Sequence, residues 1–154
     1  METIIASAIA VLGTLLGSGL TLAFQQRTTD KGHQFTRHER LRQERLDAYS
    51  AYASALISYR RCLVHLWFCE HEQPPHEDPS VVRVRAYDLR SSAQEALFRV
   101  QMLTDDDALS EAAEAVLADV TALPKTDSRP ELDQRRVKTR DDISRLVRAS
   151  KRHL

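Results

Sequence analysis

The sequence predicts an all-α fold with an N-terminal transmembrane helix, a charged stalk, and then an antiparallel bundle of about four helices. Residues 4–24 form an uncharged apolar run, residues 28–45 are polar and of mixed charge, and from residue 46 apolar residues recur at steps of three and four. No alternating run of β-branched residues predicts a strand. We therefore divide the chain into an anchor (1–27), a juxtamembrane stalk (28–45) and a helical bundle (46–154).

The apolar run IIASAIAVLGTLLGSGLTLAF, from Ile4 to Phe24, is long enough to cross a bilayer. A helix of about 21 residues covers roughly 30 Å, the thickness of the hydrocarbon core. The segment has neither the basic start nor the small-x-small cleavage site of a secretory signal. We therefore expect an uncleaved anchor in contact with membrane lipid, against the alternatives of a cleaved signal or a buried core helix.

Basic residues on one side of this run predict its orientation. None precedes it, and the residues that follow it include Arg27, Lys31, Arg37, Arg40, Arg42 and Arg45. Lys and Arg close to a membrane span are retained on the cytoplasmic side. We therefore expect a single-pass protein of the plasma membrane with its N-terminus outside and its body in the cytoplasm. The reversed topology, with the body outside, is the alternative.

Gly13 and Gly17 lie four residues apart within the run, on one face of the helix. Small residues let two membrane helices approach closely, so this spacing favours association with a second copy or with a partner membrane protein. Glycine is also common in membrane helices, and a single pair at this spacing often has no function.

Residues 46–69 are apolar around most of a helix. Two rows step by three and four: Leu46, Tyr49, Ala53, Leu56, Arg60, Leu63 and Trp67, and Ala48, Tyr52, Ala55, Tyr59, Cys62, Leu66 and Cys69. A helix of this kind has to be covered on several sides. We expect it to be the central helix of the bundle or to lie at a dimer interface as well.

Proline and capping residues divide the rest of the bundle. Gln73-Pro74-Pro75 ends the first helix, and Asp78 with Pro79 begins the next. Thr104 with the acids after it is the expected cap of the third helix, which Pro124 ends. Ser128 to Glu131 begins the last. The expected core residues are Val82, Ala86, Leu89, Ala93, Ala96, Val100 and Leu103, then Leu109, Ala113, Val116, Val120 and Leu123, then Leu132, Ile143, Leu146, Val147 and Leu154.

Cys62, His65 and Cys69 are the best candidates for a metal site, because thiolate and imidazole are ligands that zinc prefers. The two cysteines, however, lie about 10 Å apart along a straight helix, too far to bind one ion at about 2.3 Å each or to form a disulfide. They are weak candidates. We predict no metal, no cofactor, and two buried, reduced thiols.

Signatures of catalysis are absent from the sequence. It has no Gly-rich phosphate loop, no nucleophile elbow and no HExxH motif. Asp141 and Asp142 are ordinary carboxylates on what we expect to be an exposed helix. We predict that the chain is not an enzyme.

Charge is segregated along the chain although the formal net charge is zero. Residues 104–119 are acidic, whereas Arg135 to Arg152 are strongly basic. We expect the basic last helix to pair with the acidic helix beside it. Anionic lipid is the next alternative, and nucleic acid is the least favoured.

The segments VLGTLLGSGLTLAFQQR, RHERLRQERLDAYSAYASAL and RRCLVHLW resemble uncharacterised small single-pass membrane-anchored helical proteins of actinobacteria. The resemblance covers about the first 70 residues and implies no catalytic residue. We interpret the chain as a membrane-tethered helical scaffold or protein-interaction module that self-associates or binds a partner membrane protein. The alternative is a membrane-anchored sensor whose bundle binds a small ligand or metal next to Trp67.

Overall fold

The computed structural model describes the backbone from Glu2 to Leu154 and the side chains from Arg37 onward. Its α-helices are α1 (Glu2–His71), α2 (Pro79–Leu103), α3 (Asp107–Thr121) and α4 (Arg129–Ser150). Two short 3-10 segments, Leu123–Lys125 and Lys151–His153, follow α3 and α4. No strand occurs between Glu2 and Leu154. The predicted all-α class is confirmed.

The chain divides into two compact units, Met1–Leu41 and Arg42–Leu154. The predicted anchor with Gly13 and Gly17, and the first half of the stalk (residues 28–36), fall outside the residues whose side chains are described. Among residues 37–154, whose side chains are described, no helix has an apolar stretch long enough to cross a membrane.

The second unit is a bundle whose neighbouring helices alternate in direction. Arg45, early in this part of α1, donates from Nε to the carbonyl of Leu103 at the end of α2, at 2.8 Å. Cys62, near the end of α1, approaches the carbonyl of Val82 at the start of α2, at 3.8 Å. These contacts make α1 and α2 antiparallel. Trp67 donates from Nε1 to the carbonyl of Thr126, beyond the end of α3, at 2.8 Å, so α3 runs with α1.

The C-terminal part of α1 is the central helix of the bundle, as predicted. Its buried residues are Ala48, Tyr49, Tyr52, Leu56, Tyr59, Cys62, Leu63, Leu66, Trp67 and Cys69. Leu46, placed in one of the apolar rows, is exposed. Arg60, placed in the same row, is half-buried because its guanidinium donates to Thr139 Oγ1 at 3.0 Å and to the carbonyl of Arg136 at 2.6 Å, both on α4.

Two of the three predicted caps are confirmed. The carboxylate of Asp78 accepts from the backbone N–H of Ser80 at 2.8 Å, and Ser128 Oγ accepts from that of Glu131 at 3.4 Å. The prediction that Thr104 caps the third helix is wrong. Thr104 ends α2, because its N–H donates to the carbonyl of Val100 at 3.0 Å. Asp106 caps α3 instead, accepting from the N–H of Leu109 at 3.1 Å.

The predicted core rows of α2 and α3 are largely correct. Leu89, Ala96 and Leu103 are only partly buried, and Leu97 and Leu117 are buried residues that the prediction omitted. The prediction for α4 is less accurate. Leu132, Ile143 and Leu146 are buried, but Val147 and Leu154 are exposed. Three polar residues, Thr139, Asp142 and Ser150, are buried on this helix in addition.

Candidate interaction surface

An open groove of about 520 Å³ runs between α1 and the C-terminal end of α4. We call it the α1/α4 groove. Its lining is Leu46, Tyr49, Ser50, Ala53, Ser54, Ile57, Ser58 and Arg61 from α1, and Val147, Ser150, Lys151 and Leu154 from the C-terminal part of the chain. All of these residues belong to the second unit, Arg42–Leu154.

The residues of the groove explain both its depth and its apolar character. Ser50, Ser54 and Ser58 step by four along α1, so a row of three small side chains lies on the face of that helix that lines the groove. Ile57 and Val147 are large and exposed on the two walls. A low surface between apolar walls is the shape that receives an amphipathic helix, which lays its apolar face into such a groove. The side chains that prediction placed in the core, Leu46, Val147 and Leu154, line this groove instead.

The charges at the groove are basic. Arg61 and Lys151 belong to the lining, and no acidic side chain does among the described lining residues. Neither cation has an ion pair with another described residue. The groove therefore favours a partner with an apolar face and acidic flanks.

Tyr49 forms part of the groove and also of a cavity of about 10 Å³ behind it. Its side chain is buried, and its hydroxyl has no hydrogen-bond partner among the described protein atoms. Tyr52, on the next turn, is also buried, but its hydroxyl donates to the carbonyl of Ala113 at 2.8 Å. Burial, with a further contribution from Glu114, raises the pKa of Tyr52 well above its ordinary value. The Tyr52 hydroxyl is thus protonated at neutral pH.

The candidate metal ligands are only partly brought together. His65 Nε2 lies 3.5 Å from Cys69 Sγ and 3.1 Å from a carboxylate oxygen of Glu77, whereas the Cys62 thiol faces the carbonyl of Val82. Burial raises the pKa of the Cys62 thiol, although the nearby Arg85 offsets part of this effect. A thiol with a raised pKa is a poor nucleophile and a poor ligand. Among residues 37–154, no group of three His, Cys, Asp or Glu side chains could hold a metal ion.

Trp67, next to which the alternative hypothesis places a small ligand, is packed against other residues of the protein. Its indole N–H donates to Thr126, its ring stacks on His71 with centroids 4.1 Å apart, and the edge of Phe68 lies at 5.4 Å. These contacts hold the loop after α3 and the end of α1 together. The α1/α4 groove, whose lining does not include Trp67, offers an open apolar space of about 520 Å³.

The basic residues of α4 pair mostly within their own helix. Arg135 binds Glu131 at 2.9 Å and Arg136 binds Asp133 at 2.9 Å. Among the described residues, the only ion pair between α4 and the acidic α3 joins Lys138 to Asp119. The expected pairing between these two helices is therefore limited to one contact.

Asp142 is buried, which corrects the expectation of an exposed carboxylate. Burial by itself would raise the pKa of Asp142, but hydrogen bonds from Lys138 and Arg145 outweigh it and hold that pKa below its usual value. The carboxylate of Asp142 is thus held in its ionised form by two cations of its own helix.

The family described as KilB plasmid transfer protein has a model that matches residues 46–154 of this chain. The match begins at residue 46 and so carries no information about residues 1 to 45. Neither a curated protein nor a solved structure shows significant similarity to the chain.

Proposed function

This chain belongs to the family of KilB plasmid transfer proteins, and we propose that it serves plasmid transfer as a membrane-tethered helical scaffold. The observation that supports the proposal is the extent of the family match. It spans residues 46–154, which are the residues that form the bundle core and both walls of the α1/α4 groove. The role of the scaffold is to hold a partner of the transfer apparatus.

The tether in this proposal is the apolar run of residues 4–24, with the bundle on the cytoplasmic side of the plasma membrane. Its length and the basic residues that follow it support this placement. Gly13 and Gly17 bring two copies of the tether together in the membrane. The scaffold is thus self-associating and has no enzymatic step.

The partner in this proposal is an amphipathic helix of another transfer protein. Small side chains along α1 leave room for such a helix, and Ile57 and Val147 supply apolar contacts. Arg61 and Lys151 are placed to meet acidic residues on its flanks. Burial of exposed apolar side chains is the main source of affinity in this mode of recognition.

The test is plasmid transfer from donor cells that lack the chain and are complemented with a variant. Ile57→Glu places a charge on the groove wall, and we expect transfer to fall by about tenfold or more. Val137→Glu is the matched control, because Val137 is exposed to a similar extent, 51% against 54% for Ile57, but lies outside the groove lining. We expect this control to transfer within about twofold of the wild type.

Immunoblots of the donor membranes show whether each variant accumulates to the same level as the wild type. Equal transfer by Ile57→Glu and wild type at equal levels would exclude the groove as the partner site. Unchanged transfer by donors without the chain would exclude the function altogether.

A second candidate is a membrane-anchored module that binds a small apolar ligand. The volume of the α1/α4 groove, about 520 Å³, favours it, since ligand pockets commonly have about 300–1,000 Å³. Native mass spectrometry of the full chain, purified from membranes, would show added mass that Ile57→Glu removes.

A further inference from the structure

α2 exposes large apolar side chains on the face that points away from the bundle core. Val84 and Tyr87 are each 62% exposed, Phe98 is 56% exposed and Met102 is 78% exposed. The opposite face of the same helix is buried through Val82, Ala86, Ala93, Leu97 and Val100. Water is therefore in contact with several large side chains along one helix, which is typical of an interaction surface.

The exposed face has the spacing of a two-stranded coiled coil. Val84, Tyr87, Ser91, Gln94 and Phe98 step alternately by three and four. Residues with this alternation form the a and d positions of a heptad, and they stay on one side of a helix. We call these five residues the α2 seam. It covers roughly 21 Å of helix.

Charges on the two sides of the α2 seam complement each other between copies. Arg90 and Glu95 are both exposed and occupy the g and e positions of the heptad. Neither has an ion pair within the described part of the chain. They are five residues apart, a spacing that does not bring them together on one helix. In a parallel coiled coil, however, a g residue faces the e residue five positions later on the other strand.

Two-fold symmetry would form this pair twice, with Arg90 of each copy facing Glu95 of the other. Arg83 and Asp88 repeat the same arrangement one heptad earlier, although Arg83 also binds Glu70 in its own chain at 2.5 Å. Ser91 and Gln94, in the middle of the seam, would meet their own equivalents, where hydroxyl and amide groups can hydrogen-bond.

We propose that the α2 seam binds the α2 seam of a second copy of this chain, in parallel and in register. The inference rests on the proposed self-association of the chain and extends it from the membrane tether to the bundle. The groove on α1 and α4 remains free for another partner, because none of its lining residues belongs to α2.

A cysteine at Val84 tests the parallel register in membranes that contain the full chain. In the proposed dimer, residue 84 faces residue 84 of the second copy, so mild oxidation of Val84→Cys should give a disulfide-linked dimer. Ser144→Cys, on an exposed site of α4, is the matched control and should remain monomeric on the same gel. The native Cys62 and Cys69 are buried. The wild-type chain, oxidised in the same way, shows how much disulfide-linked dimer these two cysteines form without Val84→Cys.

Charge reversal provides a second test, read from the co-isolation of two differently tagged full-length copies. Arg90→Glu and Glu95→Arg should each weaken association by about tenfold, because each places like charges across the seam twice. The double variant, which carries both Arg90→Glu and Glu95→Arg, should restore association. Arg148→Glu, an equal charge change on an exposed residue of α4, should have no effect.

The outcomes separate this inference from the proposed function. Co-isolation of the tagged copies without a Val84→Cys dimer would overturn the α2 seam and leave self-association through the membrane tether in place. Failure of the double charge variant to restore association would overturn the seam as well. Absence of any co-isolation would overturn both claims.

Discussion

At the scale of single residues, Tyr49 and Tyr52 show how similar side chains acquire different roles. Both lie on α1, three residues apart, and both are buried. The hydroxyl of Tyr52 is used to hold α3, through the carbonyl of Ala113, whereas that of Tyr49 is unpaired among the described protein atoms. A buried polar group without a partner lowers stability. Removal of the Tyr49 hydroxyl and removal of the Tyr52 hydroxyl should therefore change the free energy of unfolding by different amounts or in opposite directions.

We expect Tyr52→Phe to lower the free energy of unfolding by about 1 kcal/mol, because it removes a buried hydrogen bond and retains the ring. Tyr49→Phe is the matched control and should change the free energy of unfolding by less than about 0.5 kcal/mol, or raise it. Urea unfolding of the full chain, followed by the fluorescence of its single tryptophan, measures both. Equal losses for the two variants would contradict the assignment of the hydrogen bond.

At the scale of elements, α4 differs from the other bundle helices because polar contacts supplement a short apolar row. Arg60 of α1 reaches the middle of α4, and Lys138 of α4 binds both Asp119 of α3 and Asp142 of its own helix. The side chain of Asp142 is only 9% exposed, while its cationic partners are more than half exposed. The stability of α4 in the bundle therefore includes a contribution from the ionised form of one buried carboxylate.

Asp142 gives this helix a predictable pH dependence. Its pKa is lower in the folded chain than in the unfolded chain, so its contribution to stability is complete above about pH 4 and is lost as the pH falls through the folded value. We expect Asp142→Asn to lower the free energy of unfolding by about 1–2 kcal/mol at pH 7. The difference from the wild type should shrink as the pH is lowered toward about 2.5.

Asp141→Asn is the control for this pH dependence. Asp141 is the neighbouring residue, its side chain is 55% exposed, and it pairs only with the adjacent Arg140 among the described residues. We expect Asp141→Asn to lower the free energy of unfolding only slightly at any pH. Urea unfolding at pH 7 and at low pH measures how far the free energy of unfolding of each variant differs from that of the wild type. If the difference for Asp142→Asn is the same at both pH values, the proposed ionisation of Asp142 is contradicted.

At the scale of the whole molecule, the chain combines a proposed membrane tether with a bundle that exposes apolar surface in two places. The α1/α4 groove and the α2 seam lie on different helices, so one copy can contact two partners at once. This arrangement suits a scaffold, in which binding sites are kept apart on a rigid core. A membrane tether would raise the local concentration of copies and strengthen weak contacts between them.

The tether predicts how the full chain fractionates. We expect the wild type to remain with membranes after an alkaline wash, and Leu16→Arg to be largely released, because a charge at the centre of a span costs about 2.5–3.5 kcal/mol. Arg42→Ala, a loss of charge beyond the apolar run, is the control and should stay with the membrane. Release of the wild type by the wash would contradict the tether.

Much of the fold could be predicted from local patterns. The 3.6-residue period of the apolar rows, Pro74 with Pro75, and the caps Asp78 and Ser128 act over a few residues, and each predicted its helix or boundary correctly. The prediction of Thr104 as the cap of α3 is wrong because Thr104, Asp105 and Asp106 are consecutive residues that can all cap a helix. The sequence alone does not show which of them ends α2 and which begins α3.

The groove could not be predicted from the sequence, although several of its residues belong to the predicted apolar rows. Leu46, Val147 and Leu154 fit the apolar rows, but all three are exposed. The 3.6-residue period of a helix predicts burial for every apolar residue on the apolar face, whether or not another helix covers it. Their exposure depends on how far apart two helices lie, which is set by packing between residues distant in sequence.

By itself, the sequence determined the all-α class, the four helices of the bundle and the central place of residues 46–69, because helix propensity, capping and amphipathic period are local properties. Only the tertiary structure decided that Asp142 is buried, that Cys62 faces Val82 instead of the thiol of Cys69, and that an apolar groove opens between α1 and α4. These features depend on the distances between helices, and a linear pattern contains no measure of those distances.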